Sequence, residues 1–302
     1  MVRKNHSYVS TGCKICKSSQ IRNRIAVNFL AGKLMLLSTI SALFVLGILI
    51  HRIITQSIGW LNIRFLTGKL SIFPEKAGIY GVMIGTVMLM AVVIPVTVTL
   101  GTATAIYLEE YAGKGKVSGI IRTNISNLAG VPSVIFGLLG LTVFGRIFKL
   151  GASILAGGLT MSLLVLPIVV VAGQEAIRAV PGFLRDASYA MGATKWITIK
   201  KIVIPAALPG ILTGSILAVS RAIGETAPLI VLGIPALIMR TPTGFMDDFT
   251  VLPVQIYYWT LDTVLTKEYA NLAASTIIVL LVILFLMNSV AIYIRNRYRK
   301  RY

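Results

Sequence analysis

Six stretches of this chain carry no charged side chain at all: residues 34–50, 77–108, 123–145, 150–174, 202–220 and 269–294. Most of them reach the roughly 20 residues with which an α-helix crosses about 30 Å of hydrocarbon. In lipid each backbone N–H and C=O must find a partner inside the protein, which leaves helices and closed barrels. Barrel strands alternate polar and apolar residues, and these runs do not. The expectation is an all-α integral membrane protein of about six transmembrane helices. Composition agrees: charged residues make up 13% of the chain, against about 25% in soluble domains. The 34–50 run is followed by His51, Arg52 and Ile53 rather than by a small-residue cleavage site, so it is expected to be a retained first helix.

Net charge is +19, which in a soluble protein would suggest nucleic acid. Its placement points to topology instead. Twenty of the 29 Lys and Arg lie in the N-terminal segment, the 109–122 and 175–209 connections and the C-terminal segment, and eight lie in the alternate connections. Positive residues collect on the cytoplasmic side, so both termini are expected to be cytoplasmic. The basic Arg295-Asn-Arg-Tyr-Arg-Lys-Arg-Tyr302 ending also suits anionic lipid head groups. Residues 1–32 read as a polar, loosely ordered cytoplasmic tail. The tail holds Cys13, Cys16 and His6, three candidates where a closed zinc site needs four, so no metal site is assigned. The 54–76 and 236–268 segments read as outer loops, with Trp60, Phe65, Phe73, Tyr257, Tyr258 and Trp259 as interfacial anchors. Gly81, Gly85, Gly137, Gly140 and Gly157 are expected to let helix backbones approach closely.

The 175–209 connection is more than a linker. A Pro181-Gly182 break precedes a stretch in which Leu184, Ala187, Ala190 and Met191 share one face at helical spacing. Gly192 suits the left-handed geometry that ends a helix, and Thr194 suits the cap of the next. The product is a short helix joined to the following span, an element able to transmit force. Its string Asp186-Ala-Ser-Tyr-Ala-Met-Gly192, nine residues, then Ile202-Val-Ile-Pro205 resembles the cytoplasmic signature of ABC importer permeases, Glu-Ala-Ala, three residues, Gly, nine residues, Ile-x-Leu-Pro. Asp186, Ser188 and Ile204 depart conservatively. The resemblance implies that residues 183–195 dock into a cleft on a separate ATPase subunit, with Asp186, Ala187, Gly192, Ile202 and Pro205 as coupling positions.

No Walker A pattern occurs, and neither does an H-E-x-x-H or a G-x-S-x-G. The chain is therefore read as a transport subunit and not an enzyme, with no cofactor of its own; ATP and Mg belong to the partner ATPase. Inside the fifth run's continuation stands Ser220-Arg-Ala-Ile-Gly-Glu-Thr-Ala-Pro-Leu229. With the helix starting at about Gly210, Arg221 lies about 16 Å in and Glu225 about 22 Å in. Charges near mid-membrane persist where they face protein or a water-filled path. Their i, i+4 spacing puts them on one face. One reading is an ion pair that only fixes packing. The other is a substrate path on which the planar Arg221 fork attracts an oxyanion and Glu225 moderates its binding. That chemistry serves phosphate, sulfate and molybdate alike.

The strings Arg221-Ala-Ile-Gly-Glu-Thr-Ala-Pro228, Gly130-Val-Pro-Ser-Val-Ile-Phe-Gly137 and Leu252-Pro-Val-Gln-Ile-Tyr257, with a last span ending at Asn288, resemble phosphate permeases of the PstA type over residues 75–295. The resemblance implies a type I ABC importer permease fold in a prokaryotic cytoplasmic (inner) membrane. It also implies a permease domain at 33–296, a basic tail at 297–302, and import of inorganic phosphate. The implied partners are a homologous second permease (PstC-type), two ATPase subunits (PstB-type), an extracytoplasmic phosphate-binding protein (PstS-type) and the lipid bilayer, without nucleic acid. The alternatives are a permease for another oxyanion and an ion-coupled secondary carrier, for which inverted repeats would argue.

Overall fold

The structure, a computed structural model, describes residues 10–113, 115–238 and 240–297, with side chains from Ile21 onward apart from Arg22. The chain divides into two units, Met1–Thr55 and Gln56–Tyr302. The described part of the first lies within one helix, α1 (Ser10–Ser57, 48 residues), which runs two residues past the division and is about 72 Å long at 1.5 Å per residue. From Ser10, the first described residue, the basic segment expected to be loosely ordered is helical.

The second unit holds α2 (Ile63–Thr67), α3 (Tyr80–Ile106), α4 (Lys116–Leu128), α5 (Ser133–Leu139), α6 (Ile154–Arg178), α7 (Gly182–Ala190), α8 (Lys195–Thr198), α9 (Ile204–Gly224), α10 (Ala227–Leu232), α11 (Leu252–Asp262) and α12 (Glu268–Arg297). Three wide turns with i→i+5 bonding interrupt the α geometry: Tyr107–Tyr111 after α3, Gly140–Ile147 after α5, and Ile199–Val203 between α8 and α9. Among the described residues there is no strand, only the isolated bridge between Ser153 and Asp248.

Five helical stretches are long and apolar enough to cross a membrane: Asn23–Ser57, Tyr80–Tyr111, Ile154–Arg178, Lys195–Gly224 and Glu268–Arg297. The 123–145 run, expected as the third span, is a helix pair bent by 105° between Leu128 and Ser133. Pro132 explains the bend. It has no N–H to give a continuing helix and it keeps the residue before it out of helical geometry. Counted as one crossing, the pair completes six.

Helix α6 is the centre of the core, buried along both the side facing α3 and the side facing α9. Small residues make that possible. A Cβ added at Gly158 would stand 2.6 Å from Val92 Cγ1, and one at Gly101 would stand 2.7 Å from Val169 Cγ1. Water exclusion does not hold such helices together in lipid; close packing and its many dispersion contacts do. The 233–251 segment folds back into the same core. Phe249 is fully buried against Gly157, and the Leu252 N–H donates to Thr86 Oγ1 at 3.0 Å.

Two of the expected interfacial anchors are core residues. Trp259 and Phe65 are buried, their ring centroids 6.3 Å apart. With its amide oriented to satisfy both ends, Gln255 accepts from Trp259 Nε1 and donates to the Ala236 carbonyl, each at 3.1 Å. Tyr258 is half-buried and donates from its hydroxyl to the Ile234 carbonyl at 3.2 Å. Tyr257 and Phe73 remain exposed. The physical reason is that residues 252–262 form a helix packed against α3 and α12, a tertiary fact that the aromatic content of a loop does not encode.

Candidate functional site

The 175–209 connection forms two short helices joined by a tight turn. Just past the end of α7 stands Gly192, which has φ +81. The Gly192 N–H donates to the Tyr189 carbonyl at 2.9 Å and the Ala193 N–H to the Ser188 carbonyl at 3.2 Å. That pair of bonds is the Schellman arrangement, which satisfies orphan carbonyls at a helix end. Thr194 caps α8, accepting from the Ile197 N–H at 3.4 Å. The two helices are pinned by buried hydroxyls, Ser188 Oγ and Thr198 Oγ1, 2.8 Å apart.

The inward face of α7 is not the apolar one that periodicity selects. Leu184 is half-buried, but Ala187, Ala190 and Met191 are exposed, and Arg185 and Ser188 point inward. Arg185 supplies what the site lacks. Its Nη1 donates to the Val180 carbonyl at 2.7 Å and its Nη2 to the Ile177 carbonyl at 3.0 Å, capping the end of α6. Outward stands an apolar cluster: Phe183 at 68% exposure, Met191 at 88% and Trp196 at 58%. Asp186 and Ala187 are exposed beside it, whereas Ile202 and Pro205 are half-buried where the wide turn meets α9. Surfaces of this kind mark an interface.

A second polar group gathers at the wide turn after α3. Glu109 accepts from Arg122 Nη1 at 2.6 Å, Arg178 Nη2 at 2.9 Å and Gln174 Nε2 at 3.2 Å. The next residue, Glu110, accepts from Arg185 Nη2 at 2.9 Å. Sequence reasoning missed this group. The available signal was the Glu109-Glu110 pair closing a charge-free run with basic residues at 122, 178 and 185.

The fifth span breaks where its charges lie. Helix α9 continues α8 and its wide turn from Lys195, so Gly210 lies well inside it rather than at its start. Arg221 falls in its last turn and Glu225 is already extended, with ψ 130. Arg221 Nε donates to Glu225 Oε1 at 3.2 Å, with 52% of the arginine side chain and 19% of the glutamate side chain exposed. A cation in a helix's last turn is favoured by the helix dipole. Ser220 Oγ donates to Asn288 Oδ1 at 2.7 Å, tying this end of α9 to α12. After the break, α10 packs on α5: a Cβ at Gly137 would stand 2.7 Å from the Pro228 carbonyl oxygen. Two strings far apart in sequence, 130–137 and 221–228, thus meet at the break.

Beyond α10, Asp247 organises the 233–251 segment. Its Oδ2 accepts from the Thr243 and Gly244 N–H groups, each at 2.8 Å, and from Thr243 Oγ1 at 3.0 Å. Those bonds hold its carboxyl below the usual carboxylate range, the Thr243 N–H contributing most. The side chains of Cys13 and Cys16, all of His6, and residues 298–302 of the basic ending lie outside the described residues.

Residues 97–300 match the family described as "Binding-protein-dependent transport system inner membrane component". The chain is 38% identical over 218 residues to the "Phosphate transport system permease protein PstA 1" of Mycobacterium tuberculosis, covering 70% of this chain and 69% of that one. It is 33% identical over 210 residues to the "Probable ABC transporter permease protein YqgI" of Bacillus subtilis, covering 70% and 71%. Among solved structures, an inward-facing form of the MetNI methionine ABC transporter shares the fold with a TM-score of 0.56 at 16% identity, covering 74% of this chain and 95% of that one.

Proposed function

Because the chain belongs to the family of inner membrane components of binding-protein-dependent transport systems, we propose that it is the PstA-type permease subunit of an ATP-driven importer of inorganic phosphate. The M. tuberculosis relatives named as phosphate permeases support the substrate over another oxyanion or an ion-coupled carrier. ATP hydrolysis resides in separate subunits. A homologous PstC-type permease, two PstB-type ATPases and a PstS-type binding protein complete the assembly. Both termini face the cytoplasm, a placement supported by the twenty-to-eight division of Lys and Arg.

The single observation that carries the mechanism is the break at Glu225 beside a half-exposed Arg221. Irregular backbone within a membrane is tolerated where it is buried in protein or lines a watered cavity. A guanidinium fork there meets phosphate oxygens with paired N–H donors, and Glu225 keeps the anion from being held too tightly. Before the start of α9, the exposed Phe183, Met191 and Trp196 seat the α7–α8 pair in the ATPase. Asp186 and Ala187 lie on the docking face, Gly192 fixes the turn, and Ile202 and Pro205 pass the movement into α9.

The test removes both charges, as Arg221→Gln with Glu225→Gln. If Arg221 served only to neutralise Glu225, the double variant would transport, since neutral replacement of a charge pair is often tolerated. The expected result is an assembled complex without phosphate uptake. Near-normal uptake, normalised to assembled complex, would return Arg221 to a packing role.

A further inference from the structure

Three consecutive side chains of the wide turn after α3 reach three different places. Glu109 goes to α4 and α6 through Arg122, Arg178 and Gln174. Glu110 goes to α7 through Arg185, whose Nη2 and Nε lie 2.9 and 3.3 Å from one carboxylate oxygen. Tyr111 goes to α8, with Lys195 Nζ 5.0 Å from its ring centroid. The turn is braced from within as well: the Ala112 N–H donates to the Tyr107 carbonyl at 2.8 Å and Arg122 donates to the Leu108 carbonyl. Glu110 and Arg185 are the best shielded pair of the group, with side chains 9% and 22% exposed. A charge pair so placed is held by mutual attraction in a medium that screens it weakly.

The α7–α8 pair has a covalent exit into α9 through residues 199–203. Its tie to α3 is different in kind, made by side chains 75 residues apart in sequence. We propose that this tie is a second output of the docking segment, and that Glu110 is the positioning residue that makes α3 follow α7 when the ATPase moves it. The proposal rests on the reading that α7 and α8 are where the ATPase docks. Without the Glu110–Arg185 pair, a movement of α7 still passes along the chain into α9, but α3 loses its charge link to α7. Wide turns of this i→i+5 kind are rare and frequently stand at functional sites.

The experiment uses the whole complex in proteoliposomes and measures labelled inorganic phosphate moved per ATP hydrolysed. Glu110→Gln keeps the size and one acceptor oxygen and removes the charge; its ratio is expected to fall at least tenfold. Glu109→Gln, whose partners lie on α4 and α6, is the comparison. If these acids only hold the fold, both variants lower the yield of complex and leave the ratio of what assembles unchanged, and that result overturns the proposal. Should Glu110→Gln not assemble, Glu110→Asp keeps the charge but withdraws it by one methylene, and the same ratio is read. A wild-type ratio in Glu110→Asp would also overturn the proposal. The docking reading is checked apart from this with Met191→Asp. If that variant still binds the ATPase, the docking reading fails; if it does not while Glu110→Gln keeps its ratio, only the second output fails.

Discussion

Replacing Gly192 isolates the contribution of one backbone angle. Its φ of +81 lies in the left-handed region, and a Cβ built there meets nothing within 4 Å. A side chain at this position therefore encounters no crowding, and the whole cost is conformational. For an L residue that cost is about 1–2 kcal/mol, a factor of roughly 5–30 in the population of the closed turn. Asn tolerates the region, Ala less well, and Val fits it worst. The expected order of ATPase retained per permease on purification, and of phosphate uptake, is Gly, Asn, Ala, Val. Gly182 supplies the control, since it also has open space around its Cβ position but no positive φ. Gly182→Ala should be neutral or slightly stabilising. Equal behaviour of Gly192→Val and the parent, or equal damage from Gly182→Ala and Gly192→Ala, would refute the reasoning.

At Gly137 the argument reverses, because space and not backbone angle is short: Gly137→Ala drives a methyl to 2.7 Å from the Pro228 oxygen, so overpacking of about 1–3 kcal/mol should appear as a lower melting temperature of the purified complex. Ser188→Ala alone leaves Thr198 Oγ1 buried without its 2.8 Å partner and should cost about 1–3 kcal/mol, whereas Ser188→Ala with Thr198→Val should recover most of it; a double variant as unstable as the single one would contradict this. For orientation, single cysteines in a background lacking Cys13 and Cys16 are probed with an impermeant thiol reagent. Labelling is expected near Gly68 and Asp247 from outside intact cells and not near Lys195, and the opposite pattern would invert the topology.

Features carried by local chemistry were legible in the sequence. Span length follows from uncharged runs, and the Gly192 turn and Thr194 cap follow from what glycine and threonine do at helix ends. The meeting of Arg221 with Glu225 follows from a four-residue spacing, although the backbone that delivers it is broken rather than helical. Features that depend on distant partners were not legible. Trp259 looks like an interfacial anchor until Phe65 and Gln255 surround it. Arg185 looks like one more cytoplasmic charge until the end of α6 brings the Ile177 and Val180 carbonyls to it and the turn after α3 a carboxylate. In the third span Pro132 marked where the helix could bend, but not by how much, since α5 beyond it packs on α10.

The wide turn Ile199–Val203 lies between the α7–α8 pair and the span that carries Arg221. In a regular helix each residue advances the face by about 100°, and an i→i+5 turn holds one residue more than that schedule requires. The nine residues between Gly192 and Ile202 run into this turn, so the spacing does not by itself fix which way α9 presents its side chains. Shortening the chain by one residue inside 199–203 would convert the turn to regular helix and leave Arg221 on its present side. The same deletion anywhere in 206–218 would swing Ser220 and Arg221 about a quarter of the way around the helix axis, parting Ser220 from Asn288. This stretch of the helix is thus a reserve of register, where length can change without reorienting what lies beyond.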